Sequence, residues 1–134
     1  MKNVLGLAVG QNYECVIDCA VTAHPAIRPY PSRNYDYIIP IRKGGVMECV
    51  FSVATIVECL PDEVYSLKGT ISDDHYRQLV HYHERRMATY TYGDSAVPYR
   101  FYILKPFANI QQPYVRKYIQ MSIGLDLNEI PLLA

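Results

Sequence analysis

The side chains best suited to holding a metal are the cysteines, because thiolates are strong zinc ligands. There are four of them, Cys15, Cys19, Cys49 and Cys59. Three residues separate the first pair and nine separate the second, so neither pair has the short spacing of a structural zinc knuckle. Each cysteine also falls on the apolar face of a predicted strand, where it can pack as a small hydrophobic residue. The sequence therefore predicts four buried, reduced cysteines, with no metal and no cofactor.

Histidines and acidic residues crowd into one segment and could form an acid–base or metal cluster. They are Asp73, Asp74, His75, His81, His83 and Glu84. On a helix, however, His81 and His83 point about 200° apart. The pair His83-Glu84 is not followed by the second histidine of the metalloprotease helix motif. We interpret these side chains as ordinary helix residues and predict no catalytic residue.

Motifs that would indicate an enzyme are absent from the sequence. There is no phosphate-binding glycine loop, no nucleophile elbow and no dinucleotide fingerprint. Carboxylates at Asp18, Asp36, Glu48 and Glu58 could serve a metal-dependent hydrolase, but their spacing singles out no site. The enzyme hypothesis therefore has no positive support in the sequence.

Aromatic and basic side chains give the strongest indication of ligand binding. The chain has 13 tyrosines and no tryptophan. Tyrosine stacks on planar bases and arginine binds phosphate, although tyrosine is also common in half-buried sheets and arginine on solvated helix faces. The candidate ligand-binding residues are Arg33, Tyr35, Tyr37, Arg42, Arg77, His81, Arg85, Arg100 and Tyr102.

The charge distribution narrows where a polyanion could bind. Acidic and basic residues number 13 each, so no global field attracts nucleic acid. The segment from Arg77 to Lys117 nevertheless carries seven basic and two acidic residues. Within it, a helical ridge of Arg77, His81 and Arg85 is expected to border a groove. Arg100 and Tyr102 are expected to form the floor, because strand alternation places them opposite the core-facing side chains.

Several elements must position these side chains. Apolar residues alternate along three segments, paired glycines at 44 and 45 favour a tight turn, and three prolines interrupt another segment. We predict a half-buried strand (13–23), a structured loop (24–32), a strand in which Pro40 indicates a sheet edge or the strand end (35–41), a turn (42–45), a long bent or bulged central strand (46–59) and a strand ended by Pro106 (99–105).

One main helix is predicted near residues 72–87. Ser72 can cap it, and Asp73 and Asp74 fall in the first turn, where the helix dipole favours negative charge. Its predicted buried stripe consists of Tyr76, Leu79, Val80, His83 and Met87. Residues 113–123 fit either a short helix or a final strand.

The length of 134 residues predicts a single domain spanning residues 1–134. The apolar stretch at residues 4–9 is too short to cross a bilayer. We therefore expect a cytoplasmic protein with no membrane partner.

The order of predicted elements from Tyr35 to Phe107 resembles small β-barrels of the PUA-like superfamily, which includes the EVE and ASCH domains. The residues that carry this resemblance are Tyr37-Ile38-Ile39-Pro40-Ile41, the turn Gly44-Gly45, the long strand that begins at Val46, and the late strand Tyr99-Arg100-Phe101-Tyr102-Ile103-Leu104. The resemblance covers about half the chain. It implies a curved sheet whose open cleft takes RNA, or a modified or flipped base, among aromatic side chains. No motif places the binding residues of that superfamily on this sequence.

Together these patterns predict an α+β fold built on a small, mixed, strongly bent β-sheet or barrel. The predicted function is a non-catalytic module that binds nucleic acid, RNA or DNA, or a nucleotide-like ligand. One alternative is a small interaction or regulatory subunit that docks a protein. A second alternative is a metal-dependent hydrolase acting on nucleic acid.

Overall fold

The computed structural model describes residues 3–94, 96–111, 114–116 and 122–133. They form an α+β fold, as predicted. Its strands and helices are β1 (Asn3–Ala8), α1 (Tyr13–Cys19), β2 (Val21–Pro25), β3 (Tyr37–Arg42), β4 (Val46–Met47), β5 (Cys49–Cys59), α2 (Asp73–Thr89), β6 (Tyr99–Asn109) and β7 (Ser122–Asp126). Short 3-10 helices span Gly10–Asn12, Pro61–Leu67 and Leu127–Glu129.

The described strands form one mixed sheet in the order β2-β6-β5-β3-β1-β7, with β4 paired to β3. Only β1 and β3 run parallel among these pairs. The described part of the sheet ends at β2 on one side and at β7 on the other, so it is not closed into a barrel.

The long predicted strand is confirmed as β4 and β5, and β5 lies inside the sheet between β3 and β6. The predicted irregularity is also confirmed, because the pairing of β5 with β6 shifts between Val50 and Phe51 and again between Val53 and Thr55. The prediction that Pro106 ends β6 is wrong. Pro106 pairs with Phe51 at the first shift, and at such a bulge a residue without an N–H is tolerated.

The predicted strand over residues 13–23 is wrong, because residues 13–19 form α1 and only Val21–Pro25 form a strand. The buried residues of α1 are Cys15, Val16 and Cys19. Positions i and i+4 share a face at the helical period and at the strand period alike, so Cys15 and Cys19 fitted both patterns. Ala20 adopts a left-handed conformation with φ of 53° and ends the helix.

Pro40 was predicted to mark a sheet edge or a strand end; the edge is wrong, and β3 ends two residues after it, at Arg42. Pro40 is buried in β3, which lies between β1 and the β4–β5 side of the sheet. On the latter side the pairing covers Tyr37 and Ile38 with β5 and then Ile41 and Arg42 with β4. Pro40 therefore falls in a gap of the ladder, where its missing N–H removes no strand hydrogen bond.

Helix α2 is confirmed, and the Ser72 side chain accepts a hydrogen bond of 3.1 Å from the backbone N–H of His75. Its buried residues are Leu79, Tyr82 and His83. The predicted stripe missed Tyr82, which packs edge-on to Phe101 of β6. It wrongly included Met87, which is 48% exposed in the last turn.

The cysteines are free and differ in burial. Cys15 and Cys19 are buried as predicted but lie on α1 and not on a strand, whereas Cys49 and Cys59 lie in β5 as predicted but are only half-buried. Burial raises the pKa of Cys15, Cys49 and Cys59 to about 11. Among the described residues, no group of three histidine, cysteine or acidic side chains is arranged to hold a metal.

Two further predictions concern residues 113–123 and the membrane, and the structure tests them only over the described residues. Of residues 113–123, positions 113 and 117–121 lie outside them, and Ser122 begins β7. In the part of the chain that is described, no helix has both the length and the apolar character needed to cross a membrane.

Candidate functional site

A cleft with a volume of about 550 Å³ lies where three parts of the chain meet. The first is the end of β1 with the following 3-10 helix, and the second is β2 with the loop after it. The third is the C-terminal half of α2 with the loop that leads to β6. Because β2 is the last described strand on its side of the sheet, the cleft lies at a sheet edge.

One wall of the cleft is an aromatic stack. The rings of His24 and Tyr30 lie nearly parallel, at 7°, with their centroids 5.3 Å apart. His24 is only 2% exposed, whereas Tyr30 is half-buried and Ile27 beside it is 47% exposed. The stack therefore presents a flat, partly apolar surface whose outer ring is accessible.

The protonation of His24 follows from its hydrogen bonds. Its Nδ1 lies 2.8 Å from the Pro25 carbonyl oxygen, which can only accept, so Nδ1 carries a proton. Burial lowers the pKa of the imidazole, which favours the neutral ring. In the neutral ring Nε2 is an acceptor, and it receives the hydroxyl hydrogen of Tyr102 at 2.8 Å. Both nitrogens of His24 are thus engaged within the protein.

Arg100 continues this network away from the cleft. Its Nε donates to the Tyr102 hydroxyl oxygen at 3.2 Å, and a terminal nitrogen lies 2.6 Å from a Glu58 carboxylate oxygen. Its other terminal nitrogen donates to the Asn34 side-chain oxygen and to the Arg33 carbonyl oxygen. Arg100 therefore ties β5, β6 and the loop after β2 together behind the aromatic stack.

The opposite wall is centred on Arg86 of α2. Its Nε donates to the Thr91 carbonyl oxygen at 3.1 Å, and its Nη1 donates to the Tyr82 hydroxyl at 2.8 Å. The guanidinium carbon lies 4.3 Å from the ring centroid of Tyr92 and 5.4 Å from that of Tyr99. A guanidinium carries five N–H groups, and these contacts use two of them.

Arg86 differs from Arg77 and Arg85, the other arginines of α2, in its charge balance. The ion pairs found among the described residues involve Arg42, Arg77, Arg85 and Arg100, and none of them involves Arg86. Its positive charge therefore has no carboxylate partner there, although Asp94 lines the same cleft. Such a cation can bind an anionic ligand without first breaking an ion pair.

Asn12 also lines the cleft, from the 3-10 helix after β1. Its side-chain oxygen is buried and has no hydrogen-bond partner among the described residues. An unsatisfied buried acceptor costs about 1–3 kcal/mol. The cleft therefore combines an aromatic wall and an unpaired guanidinium, a set suited to a planar ligand that carries negative charge.

The predicted helical ridge exists, but its cations are paired. Arg77 forms an ion pair with Asp74, and Arg85 forms one of 2.7 Å with Asp18 of α1. His81 is exposed, and its Nδ1 lies 3.7 Å from the Cys19 sulfur. None of these three residues lines the cleft.

The predicted groove between this ridge and β6 is wrong. Arg100 and Tyr102 are 7% and 0% exposed, not solvent-facing. They point to the face of β6 opposite Phe101, which packs against α2. The sheet is covered on both faces at this point, so strand alternation does not mark an exposed side.

The other predicted ligand-binding residues, Arg33, Tyr35, Tyr37 and Arg42, make separate contacts. Arg33 lies over the Tyr35 ring at 5.5 Å, and Tyr37 packs edge-on to Phe107 at 4.8 Å. Arg42 is held by Glu48 at 2.8 Å. Their role in ligand binding stays a prediction.

Sequence reasoning missed the residues that line the cleft, above all Asn12, His24, Tyr30 and Arg86. A weak signal was available for Arg86, because Tyr82 and Arg86 lie four residues apart on one helical face and Tyr90 and Tyr92 follow. No local pattern connects them with His24 or Tyr30.

The lowered pKa of His24 predicts a loss of stability in mild acid. Desolvation by burial is the main cause, nearby Arg100 adds to it, and Glu58 opposes it. Below the ordinary pKa of about 6.5, the unfolded chain binds more protons than the folded one, so the free energy of unfolding falls as the pH falls toward the folded-state pKa. Burial lowers the pKa of His83 in the same direction.

Urea unfolding between about pH 7 and about pH 5 measures this loss. In His24→Gln an amide can donate to Pro25 and accept from Tyr102, so the fold is expected to survive with a shallower pH dependence. His83 should account for the pH dependence of the free energy of unfolding that remains in this variant. A His24→Gln protein with the full wild-type slope would contradict the assignment.

The chain was compared with protein-family models, curated proteins and solved structures. No protein-family model and no curated protein matches this chain. Among solved structures, a serine-to-alanine mutant of ASCH from Zymomonas mobilis matches with a TM-score of 0.52 and 14% identity, over 94% of this chain and 90% of that one. A tyrosine-to-phenylalanine mutant of the same protein matches with a TM-score of 0.51 and 15% identity, over 96% and 92%. The fold of this chain is therefore similar to that of these ASCH structures, as the sequence resemblance predicted.

Proposed function

We propose that this PUA-like domain is a non-catalytic module that binds single-stranded RNA by holding one nucleotide in the cleft. The base stacks on the outer face of Tyr30, and a phosphate binds Arg86. The observation that carries the proposal is the unpaired guanidinium of Arg86 opposite the His24–Tyr30 stack.

The dimensions and chemistry of the cleft support a nucleotide. Small-ligand sites usually have volumes of about 300–1,000 Å³, and this cleft has about 550 Å³. An aromatic ring offers stacking to any base, and arginine offers paired donors to phosphate.

The state of His24 supports binding without catalysis. A general base needs a free acceptor within reach of the substrate proton. The Nε2 acceptor of His24 is occupied by Tyr102, and Nδ1 carries a proton directed at Pro25. His24 is therefore suited to forming a rigid wall, and the Arg100 network holds it there.

The test is the binding of a short, fluorescently labelled single-stranded RNA at low salt, measured by anisotropy. Arg86→Met keeps much of the apolar stem and removes the charge. It is expected to weaken binding at least about tenfold, because a hydrogen bond to a charged group is worth about 1.5–3 kcal/mol. The slope of log K against log salt concentration should also become shallower by about 0.7 for each lost phosphate contact.

The matched control is the Arg77→Met/Arg85→Met double variant, which removes two paired arginines from the same helix. It is expected to bind RNA as the wild type does. If it weakens binding and Arg86→Met does not, the ligand lies on the helical ridge instead of in the cleft. If the wild-type protein binds no RNA at low salt, the proposal fails and the protein-docking alternative takes its place. Thermal melting of each variant checks that the fold is retained.

A further inference from the structure

A second cavity adjoins the cleft at the hairpin between β3 and β4. It has a volume of about 400 Å³ and is bordered by Gly10 and Gln11 on one side and by residues 42–45 on the other. Ala8 lines both cavities. The 3-10 helix Gly10–Asn12 is their common wall, since Asn12 borders the cleft and the two residues before it border the second cavity.

Lys43 gives this cavity an available positive charge. It is exposed, and the ion pairs formed among the described residues do not include it. The adjacent Arg42 is committed, because it pairs with Glu48 at 2.8 Å and lies over the Tyr13 ring at 4.7 Å. An ammonium on a flexible stem binds phosphate as a point charge, so Lys43 is the group of this cavity suited to an incoming anion.

The backbone holds the turn in a fixed position. Gly44 and Gly45 have φ of 86° and 82°, which residues with a side chain rarely adopt. A Cβ on Gly45 would lie 1.9 Å from the Arg116 carbonyl oxygen, and Arg116 N–H donates to the Gly45 carbonyl oxygen at 3.0 Å. A Cβ on Gly44 would meet nothing within 4 Å, so that side of the turn is open. The hairpin is therefore held by Arg116 at Gly45 and is accessible at Gly44.

We infer that the second cavity binds the phosphate of a neighbouring nucleotide, so that the ligand is an oligonucleotide strand and not a free nucleotide. This inference rests on the proposed function of the cleft. Two cationic points, Arg86 in the cleft and Lys43 in the second cavity, flank a shared uncharged wall at Ala8. A mononucleotide in the cleft contacts only Arg86, whereas a strand that passes over this wall contacts both.

The experiment compares two probes, a nucleoside 5′-monophosphate and a six-nucleotide single-stranded RNA, on wild type and Lys43→Met. For the hexanucleotide, Lys43→Met is expected to weaken binding roughly threefold to tenfold at low salt and to reduce the salt slope by about 0.7. Binding of the monophosphate should be unchanged. Lys68→Met, which removes another exposed lysine without an ion pair in the described structure, is the matched control and should alter neither.

The possible failures are distinguishable. If Lys43→Met leaves hexanucleotide binding unchanged, or weakens both probes equally, the second subsite is overturned while an Arg86-dependent cleft stands. If Lys68→Met weakens the hexanucleotide as much as Lys43→Met, the effect is general surface charge and the subsite is again overturned. If neither probe binds the wild type, the proposed function and this inference fail together.

Discussion

Replacing Arg100 with methionine is expected to lower the free energy of unfolding by about 3 kcal/mol. The side chain is buried, and it donates to Tyr102, Glu58, Asn34 and the Arg33 carbonyl. Methionine fills part of the space but leaves these acceptors without their donor, and hydrogen bonds from a charged group are worth about 1.5–3 kcal/mol each. Because Glu58 is half exposed, water can solvate its carboxylate in the variant, which limits the loss of stability.

Urea denaturation at neutral pH measures this change. The matched control is Arg77→Met, since the Arg77 side chain is 72% exposed and pairs with an exposed Asp74. It should change stability by less than about 0.5 kcal/mol. Equal losses in the two variants would show that the Arg100 network contributes nothing beyond an ordinary surface ion pair. The His24–Tyr30 wall depends on this network, so RNA binding by Arg100→Met is expected to weaken even where the protein is folded.

Phe51→Ala is expected to destabilise the fold by about 3–5 kcal/mol, the usual range for removing a buried phenylalanine. Phe51 is 4% exposed at a bulge of the central strand β5. It packs in a cluster with Leu5, Ile38 and Tyr102, side chains from β1, β3 and β6. Truncation leaves a cavity at the junction of these strands, which cannot close without moving the sheet.

Phe107→Ala is the control, on the neighbouring strand β6. Phe107 is 46% exposed and makes one edge-on contact with Tyr37. Its loss should cost less than about 1.5 kcal/mol. A melting temperature that is unchanged in Phe51→Ala but lowered in Phe107→Ala would mean that the apolar face of β5 has been assigned to the wrong side.

Features with a local cause were predictable from the sequence. Ser72 caps the N-terminus of α2 because its hydroxyl accepts a hydrogen bond from the His75 N–H, and this contact lies within four consecutive residues. Gly44 and Gly45 form the turn between β3 and β4 because the turn requires positive φ, which glycine adopts without strain. The length of β5 predicted its bulges. The order of these elements was sufficient to indicate a fold similar to that of the ASCH structures.

The errors arose where a local pattern fits two structures, or where it does not show which face of an element is covered. Cys15 and Cys19 share a face in a helix and in a strand, and only packing of α1 against α2 selects the helix. The alternation of Arg100 and Tyr102 with Phe101 was read correctly as two faces of a strand. Which of those faces meets solvent depends on what covers them, and here α2 covers one face while β1 and β3 supply side chains that cover the other.

The sequence by itself determined the class of fold, the main helix, the central strand and the kinds of side chain available for binding. Only the tertiary structure decided which of those side chains can act. Asp18 neutralises Arg85 from 67 positions away, whereas Arg86, the next residue, has no carboxylate partner among the described residues and lines the cleft. His24 owes its orientation to Tyr102, 78 positions along the chain. Such contacts join residues that no local pattern relates, because charge pairing and burial depend on distance in space and not on separation in sequence.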